Sequence, residues 1–298
     1  MCSAAPVDRL DAPALLADLR AHTGTTLDLV GPLPGGEVGA ALVRWPDGRE
    51  GVLTHWGDAS DEAWRRIERA GELLALARAH GIPAPRYDLV ARLPDRIAVV
   101  QQRLPGVAPT DVNVHLVHTM AEIAGRGAGL LADRPDVPPV ELYLLRSGPG
   151  FCVHTSLAQY DDRTRRLLAL IRKIGLESPT TMSGDDLVHM DFTTGNVLVD
   201  RTGAISGIVD WDGIGRGDHR FALVTLRFDL AAPAHDARDQ SGRAAAARWL
   251  DARLDELDPT TLRIYWAHMG LRMVDWAIRH HGPDDVNRWL TVAASRLA

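Results

Sequence analysis

The chain has 298 residues, 46% of them hydrophobic and 24% charged, the balance of a soluble globular protein with room for one domain or two lobes with their own cores. Its formal net charge of −6 speaks against general nucleic-acid binding, which favours a basic face, and suits a cationic partner. No run approaches the ~18 consecutive apolar residues of a membrane span, the start "MCSAAPVDRLDAP" lacks the pattern of a signal peptide, and Cys2 and Cys152 are too few for a disulfide framework or a cysteine zinc site, so a cytoplasmic protein is expected.

From Leu27 to Gln102 short strand-like runs surround a single helix. "LDLVGPLPGG" runs into a glycine turn, and "GAALVRW" and "EGVLTHW" flank "PDG" and read as a hairpin. "DEAWRRIERAGELLALARAHG" places Trp64, Ile67, Leu73, Leu74 and Leu76 at helical spacing and stops at Gly81 before "IPAP". "YDLVARL" and "RIAVVQQRL" make a further hairpin. After Pro105-Gly106 the pattern turns helical, first in "VNVHLVHTMAEIAGRGAGLLA" and "DDRTRRLLALIRKIGL", later in "GRAAAARWLDARLDEL", "TTLRIYWAHMGLRMVDWAIRHHG" and "PDDVNRWLTVAASRLA". The expected class is α+β, with a β-rich lobe over 1–103, a helical lobe over 104–298 and a polar loop at their junction.

That loop is "LVHMDFTTGNVLVD", Leu187 to Asp200. Val197, Leu198 and Val199 read as a short strand, "TGAIS" turns, and Ile208 with Val209 returns, which carries Asp210 back to Asp191 and Asn196. Two carboxylates and an amide oxygen brought together are costly unless something positive lies between them. Hard oxygen ligands select magnesium, which is held by one or two protein groups plus phosphate oxygens. An Asp followed five positions later by an Asn is also the spacing of a kinase catalytic loop. In phosphoryl transfer one acid orients and deprotonates the attacking hydroxyl, while an Asn and a second Asp hold the metal. Asp191 is therefore the candidate base, and Asn196 and Asp210 are the candidate magnesium ligands. His189 is expected to hold the loop by hydrogen bonds rather than to carry protons.

"HMDFTTGN" followed by "IVDWD" resembles the aminoglycoside phosphotransferase and choline kinase-like family, whose pattern is His-x-Asp-x-x-x-x-Asn, then two aliphatic residues, Asp and an aromatic. The likeness extends over nearly the whole chain, through the glycine turn, hairpin, helix, "GIPAPR" and "RLPG" connector. It implies a bilobal protein kinase-like fold that uses magnesium and ATP or GTP to phosphorylate a small-molecule hydroxyl. It also implies a nucleotide between the lobes, its base against Gln101, Gln102 and Arg103 and its phosphates under the turn with Gly35 and Gly36. The chain departs from the family at one position of consequence. The family's third strand carries a phosphate-contacting lysine paired with a helix glutamate, and here that position falls on Thr54. Lys173, the one lysine of the chain, lies in the helical lobe. Arg44, Arg49 and His55 are the candidate substitutes, and Glu68 and Glu72 the candidate partners. His219 and Ala222 stand in the stretch where the family has an acid after "GD".

On the substrate side the residues leave alternatives open. Asp212 reads as a metal contact, a substrate contact or a solvated strand end, and Asp218 as a loop anchor. Asp229, Asp236 and Asp275, with Asp239, Asp284 and Asp285, either line a pocket for an amine-rich substrate or form solvated helix faces. Trp249, Trp266, Trp276 and Trp289 read as core. Three functions follow in order of preference: a kinase that inactivates a cationic antibiotic (an aminoglycoside or a basic cyclic peptide), a metabolic kinase for choline, an amino alcohol or a sugar, and a nucleotide-binding pseudokinase. Monomer and homodimer are equally compatible with the sequence.

Overall fold

The computed structural model describes residues 9–33, 38–234 and 236–297. Strands β1 (Asp28–Leu33), β2 (Ala40–Arg44), β3 (Glu50–Trp56), β4 (Tyr87–Arg92) and β5 (Ile97–Gln102) form one antiparallel sheet in the order β1-β2-β3-β5-β4. "PDG" closes the β2–β3 hairpin: the Trp45 N–H donates to the Arg49 carbonyl at 2.8 Å, and Gly48 takes the φ of 85° that other residues resist. Alternation along the strands sends Ala41, Val43, Leu53, Ala98 and Val100 to one face. Helix α1 (Ala12–Thr23) covers that face with Leu15 and Leu19. The sequence reading passed over this helix, although its ends are marked. Asp11 Oδ1 accepts the Ala14 N–H at 3.1 Å, and Gly24, at φ 71°, ends it.

Ile97 and Val99 point to the opposite face and pack against Ile67 of α2 (Asp61–Ala79). Farther along the same helix, Leu73, Leu74 and Ala77 belong to the core of the helical lobe. One amphipathic helix thereby joins both lobes, each through its own stripe of side chains.

The helical lobe comprises α3 (Val114–Gly125), α4 (His154–Tyr160), α5 (Asp162–Leu176), α6 (Phe221–Asp229), α7 (Ala237–Leu254), α8 (Pro259–His280) and α9 (Pro283–Leu297). Its core centres on α8, where Trp266, Leu271, Val274 and Ala277 are fully buried and the Trp266 ring lies 4.8 Å from that of Phe228. Helix α3 stops sooner than its apolar pattern suggests. Gly127 lies so close to the strand before the polar loop that a Cβ there would sit 2.5 Å from the Leu187 carbonyl oxygen, and its own carbonyl accepts the Leu187 N–H at 2.9 Å. The chain leaves the helix to make this contact. No helix among the described residues is long and apolar enough to cross a membrane.

Two small antiparallel pairs frame the polar loop: β6 (Asp186–Val188) with β9 (Gly215–Gly217), and β7 (Val197–Val199) with β8 (Ile205–Ile208). The connector after β5 docks on the second pair, with Val107 and Val199 exchanging N–H···O bonds of 3.0 and 2.8 Å. Gly106 permits the approach, since a Cβ there would fall 2.4 Å from Ser206 Oγ. The Pro83 carbonyl, after α2, accepts the Ile208 N–H at 2.8 Å. The loop is thus held between elements from both lobes.

Candidate active site

The apolar pair Leu187 and Val188 buries β6 and delivers the chain into the loop at His189, which is 6% exposed. Its Nδ1 accepts the Asp191 N–H at 3.1 Å, so Nε2 carries the proton and donates to the Val209 carbonyl at 3.0 Å. The ring lies 4.5 Å from Trp211 and 5.6 Å from Phe192, centre to centre. Burial pushes the imidazole down to about 4, so it stays neutral and ties the loop to the end of β8 rather than exchanging protons.

Asp191 and Asn196 are bonded directly. Asn196 Nδ2 donates to the Asp191 carbonyl at 2.8 Å and to Asp191 Oδ2 at 2.9 Å. A single turn of 3-10 helix, Thr194–Asn196, brings them together, and Asp229 at the end of α6 holds it through the Thr194 N–H (3.0 Å) and hydroxyl (2.7 Å). Asp229 therefore supports the loop from behind. Burial raises its carboxyl while the Thr194 bonds act to lower it.

Asp210 follows β8 with φ 61°, the one positive φ of a non-glycine residue among the described residues. Strain of this kind persists where the surroundings over-determine the backbone, and it concentrates at functional sites. The twist presents the Asp210 carboxylate to the cleft, where no protein group donates to it. Its carboxyl is raised by loss of hydration and by the charge of Asp191, with Arg272 pulling the other way. Asp212, also open to the cleft, is pushed up to about 7 by loss of hydration and then by Asp210. Three carboxylates thus repel one another around a space that Asn196 Oδ1 also faces without a donor. Such a set of hard oxygens fits a divalent cation, whose charge would remove the repulsion.

Two arginines stand at this cluster, and neither was singled out in the sequence. Arg272 of α8 donates to the Met190 carbonyl through Nη1 and to Asp191 Oδ1 at 3.0 Å through Nη2. Its cue is a lone charge inside the apolar run "AHMGLRMVDW". Arg66 of α2 donates to the Asp212 carbonyl at 2.8 Å and stacks over Trp56 at 5.2 Å. Tyr87 is a neighbour as well, its phenol raised by burial and then by Asp212 and Asp210.

The sheet side of the cleft holds fewer of the anticipated groups. Thr54 accepts only a long bond, 3.5 Å, from Gln101 Nε2. Arg44 pairs with Glu50 at 3.4 Å, Arg49 pairs with Asp47 at 2.7 Å, and His55 is buried on the opposite face of β3 from Thr54. Arg103 bonds Glu50, and the Gln102 N–H donates to the Arg86 carbonyl at 2.7 Å. Neither helix glutamate meets β3: Glu72 pairs with Arg134 at 2.8 Å, and Glu68 is solvent-exposed. Gly35 and Gly36 lie outside the described residues.

The other acids are engaged within the helical lobe. Asp275, with 0% exposure, accepts from Arg279, Ser156 and the Val153 N–H, which leaves it no part in the cleft. Asp236 caps α7 through the Asp239 N–H, and Asp239 pairs with Arg243 at 3.0 Å. Asp285 pairs with Arg288 in the first turn of α9. Asp218 accepts from Arg220 and from Tyr265 Oη at 3.0 Å, an anchor for the chain after β9.

Residues 32–265 match the model of the phosphotransferase enzyme family. Among solved structures the chain is similar to an apo thermostable mutant of the aminoglycoside phosphotransferase APH(4)-Ia, at 19% identity and a TM-score of 0.68, covering 95% of this chain and 98% of that one. A variant of the same enzyme in ternary complex with AMP-PNP and hygromycin B gives 18% identity and a TM-score of 0.67, with coverage of 95% and 98%. The aminoglycoside-3'-phosphotransferase of type VIII gives 20%, 0.57, 93% and 98%, and APH(3'')-Id from Streptomyces rimosus gives 20%, 0.55, 88% and 98%. No protein of curated function matches the sequence.

Proposed function

This chain belongs to the phosphotransferase enzyme family, and on that premise we propose that it moves the γ-phosphoryl group of a magnesium-bound ATP or GTP to a hydroxyl of a small molecule. The observation that carries the assignment is the bonded Asp191–Asn196 pair beside a strained, undonated Asp210. Asp191 accepts a hydrogen bond from the attacking hydroxyl, aims its oxygen along the line of transfer and takes up its proton. Asn196 Oδ1 and the Asp210 carboxylate hold the metal, with Asp212 beside them. Bound there, magnesium would neutralise charge on the phosphate oxygens. His189 and Asp229 keep the loop in register by bonds that need no proton exchange. The lobes divide at 103–104, with Gln101, Gln102 and Arg103 beside the nucleotide base and Gly35-Gly36 over the phosphates.

A cationic antibiotic, aminoglycoside or basic cyclic peptide, is the first substrate class. The net charge of −6 supports it, as does the likeness in fold to an enzyme solved with hygromycin B. A metabolic alcohol is the second class, and one observation favours it: Asp229, Asp236 and Asp275 are spent on internal bonds, while a cation, Arg272, stands at the base. The intact Asp191, Asn196 and Asp210 weigh against a pseudokinase. The protein is placed in the cytoplasm.

The test is mass spectrometry of a panel of aminoglycosides, basic cyclic peptides, choline and sugars with magnesium and ATP or GTP, with Asp191→Asn as control. Gain of a phosphoryl group on one compound, lost in the variant, names the substrate. Tight nucleotide binding with no transfer to any acceptor, water included, would sink the enzyme reading.

A further inference from the structure

We propose that Arg272 is a positioning residue, fixing the Asp191 carboxylate in the orientation from which it meets the acceptor hydroxyl. This rests on the assignment of Asp191 as the base. The argument begins with where the arginine lies. Met269, Gly270, Leu271 and Val274 around it on α8 are buried, and its own side chain is only 18% exposed. A charge placed there is costly unless it is paired and hydrogen-bonded. Arg272 spends its charge at one point: Nη1 binds the Met190 carbonyl and Nη2 the Asp191 Oδ1 at 3.0 Å. The guanidinium fork thus grips backbone and side chain of consecutive residues, a geometry that an ammonium could not copy.

Asn196 Nδ2 takes the other carboxylate oxygen at 2.9 Å, and His189 takes the Asp191 N–H at 3.1 Å. Three elements therefore hold Asp191: α8 at Oδ1, the 3-10 turn at Oδ2, and the buried imidazole at the backbone. Each carboxylate oxygen keeps a second lone pair for the acceptor. A base must come within about 3 Å of the hydroxyl it serves, so a guanidinium bonded to that base stands within about 6 Å of the reacting oxygen. At that range its effect on carboxylate orientation is an effect on the rate. One turn back, His268 is neutral, pushed down to about 3 by burial and by Arg272, and accepts the Tyr143 N–H at 3.4 Å, so no second cation pushes the guanidinium away from the loop.

The probe is magnesium-ATP hydrolysis, with water as acceptor, in the full chain carrying Arg272→Ala, Arg272→Lys or Asp191→Asn, with nucleotide affinity read separately by a fluorescent ATP analogue. A 1 Å misplacement of a reacting group costs about a hundredfold. Arg272→Ala is therefore expected to lower kcat about a hundredfold while nucleotide affinity and KM for ATP stay within about twofold. Arg272→Lys, which keeps the charge and loses the fork, should recover part of the rate and guards against an alanine variant that fails to fold. Low-millimolar guanidinium should restore Arg272→Ala and leave Asp191→Asn inactive, a pattern that a merely structural arginine would not produce. Arg272→Ala and Arg272→Lys within about threefold of the unsubstituted protein, with Asp191→Asn inactive, would overturn the role of Arg272 alone. An Asp191→Asn protein as active as the unsubstituted one would overturn the assignment of the base and this inference with it.

Discussion

The two walls of the cleft are built on opposite terms. On the helical side the base and its neighbours are bonded from several directions: Asp191 by Arg272, Asn196 and His189, and Thr194 by Asp229. On the sheet side Arg44, Arg49 and Arg103 are tied to Glu50 and Asp47, and the position where the resemblance calls for a lysine is Thr54, with one long hydrogen bond. Where a proton is taken and a metal is held, angles matter and hydrogen bonds fail steeply when bent. A charge that attracts phosphate acts over a longer range and with little angular demand. The exacting wall keeps its residues in place, and the tolerant wall can draw its charge from another element.

The comparison breaks first at Asp191. Asp191→Asn preserves shape and removes the proton acceptor, so phosphoryl transfer should fall on the order of a thousandfold. Nucleotide affinity should change little, because the nucleotide would be held elsewhere. Turnover and binding measured side by side check this. Equal losses in both would mean that the helical wall binds as much as it catalyses.

A second prediction tests how far the helical wall depends on neutral histidines. His268 is neutral when folded down to about pH 3, whereas in the unfolded chain it takes up a proton near 6.5. Between those values the unfolded state binds the extra proton, so stability is present above about pH 6.5 and is lost as pH falls. His268→Gln keeps an acceptor for the Tyr143 N–H and removes the titration. Its thermal midpoint relative to the unsubstituted protein should rise as pH drops from 7 to 4, by the equivalent of roughly 3 kcal/mol. His154 and His189, also lowered by burial, are shared by both proteins and cancel in the difference.

Legibility in the sequence followed the range of the interactions. The loop was readable because Asp191, Asn196 and the return to Asp210 are set by short spacings and one hairpin, and the β2–β3 turn because "PDG" acts within itself. Helix α1 was missed since only Ala12, Leu15 and Leu19 are buried along it, too sparse a stripe to read against its surroundings. The early end of α3 came from Gly127 meeting Leu187, sixty positions on, which no local pattern announces. The acids of the helical lobe were visible as charge but not as pairs. Asp275 finds Arg279 one turn away and Val153 across the fold, and only the first is a local matter. Arg66 and Arg272 reach targets in other elements, so their reach becomes visible only in three dimensions.

The smallest expected effect sharpens the contrast most. If the sheet wall draws its charge from α2, Arg66 is the group concerned, since it stands at Asp212 with no carboxylate bonded to its guanidinium and Trp56 stacked beneath it. Arg66→Ala should weaken ATP binding about tenfold, roughly 1.4 kcal/mol, and leave adenosine binding unchanged, since only the phosphates need the cation. Thr54→Lys in that background puts a cation back on β3, on the Gln101 side of the strand, and should recover most of the loss. Recovery would mean that the charge, not the element supplying it, is what the wall must provide. Failure to recover, with ATP binding weakened as expected, would tie the requirement to α2 and to the Arg66–Asp212 bond, making that link between the lobes the object of selection.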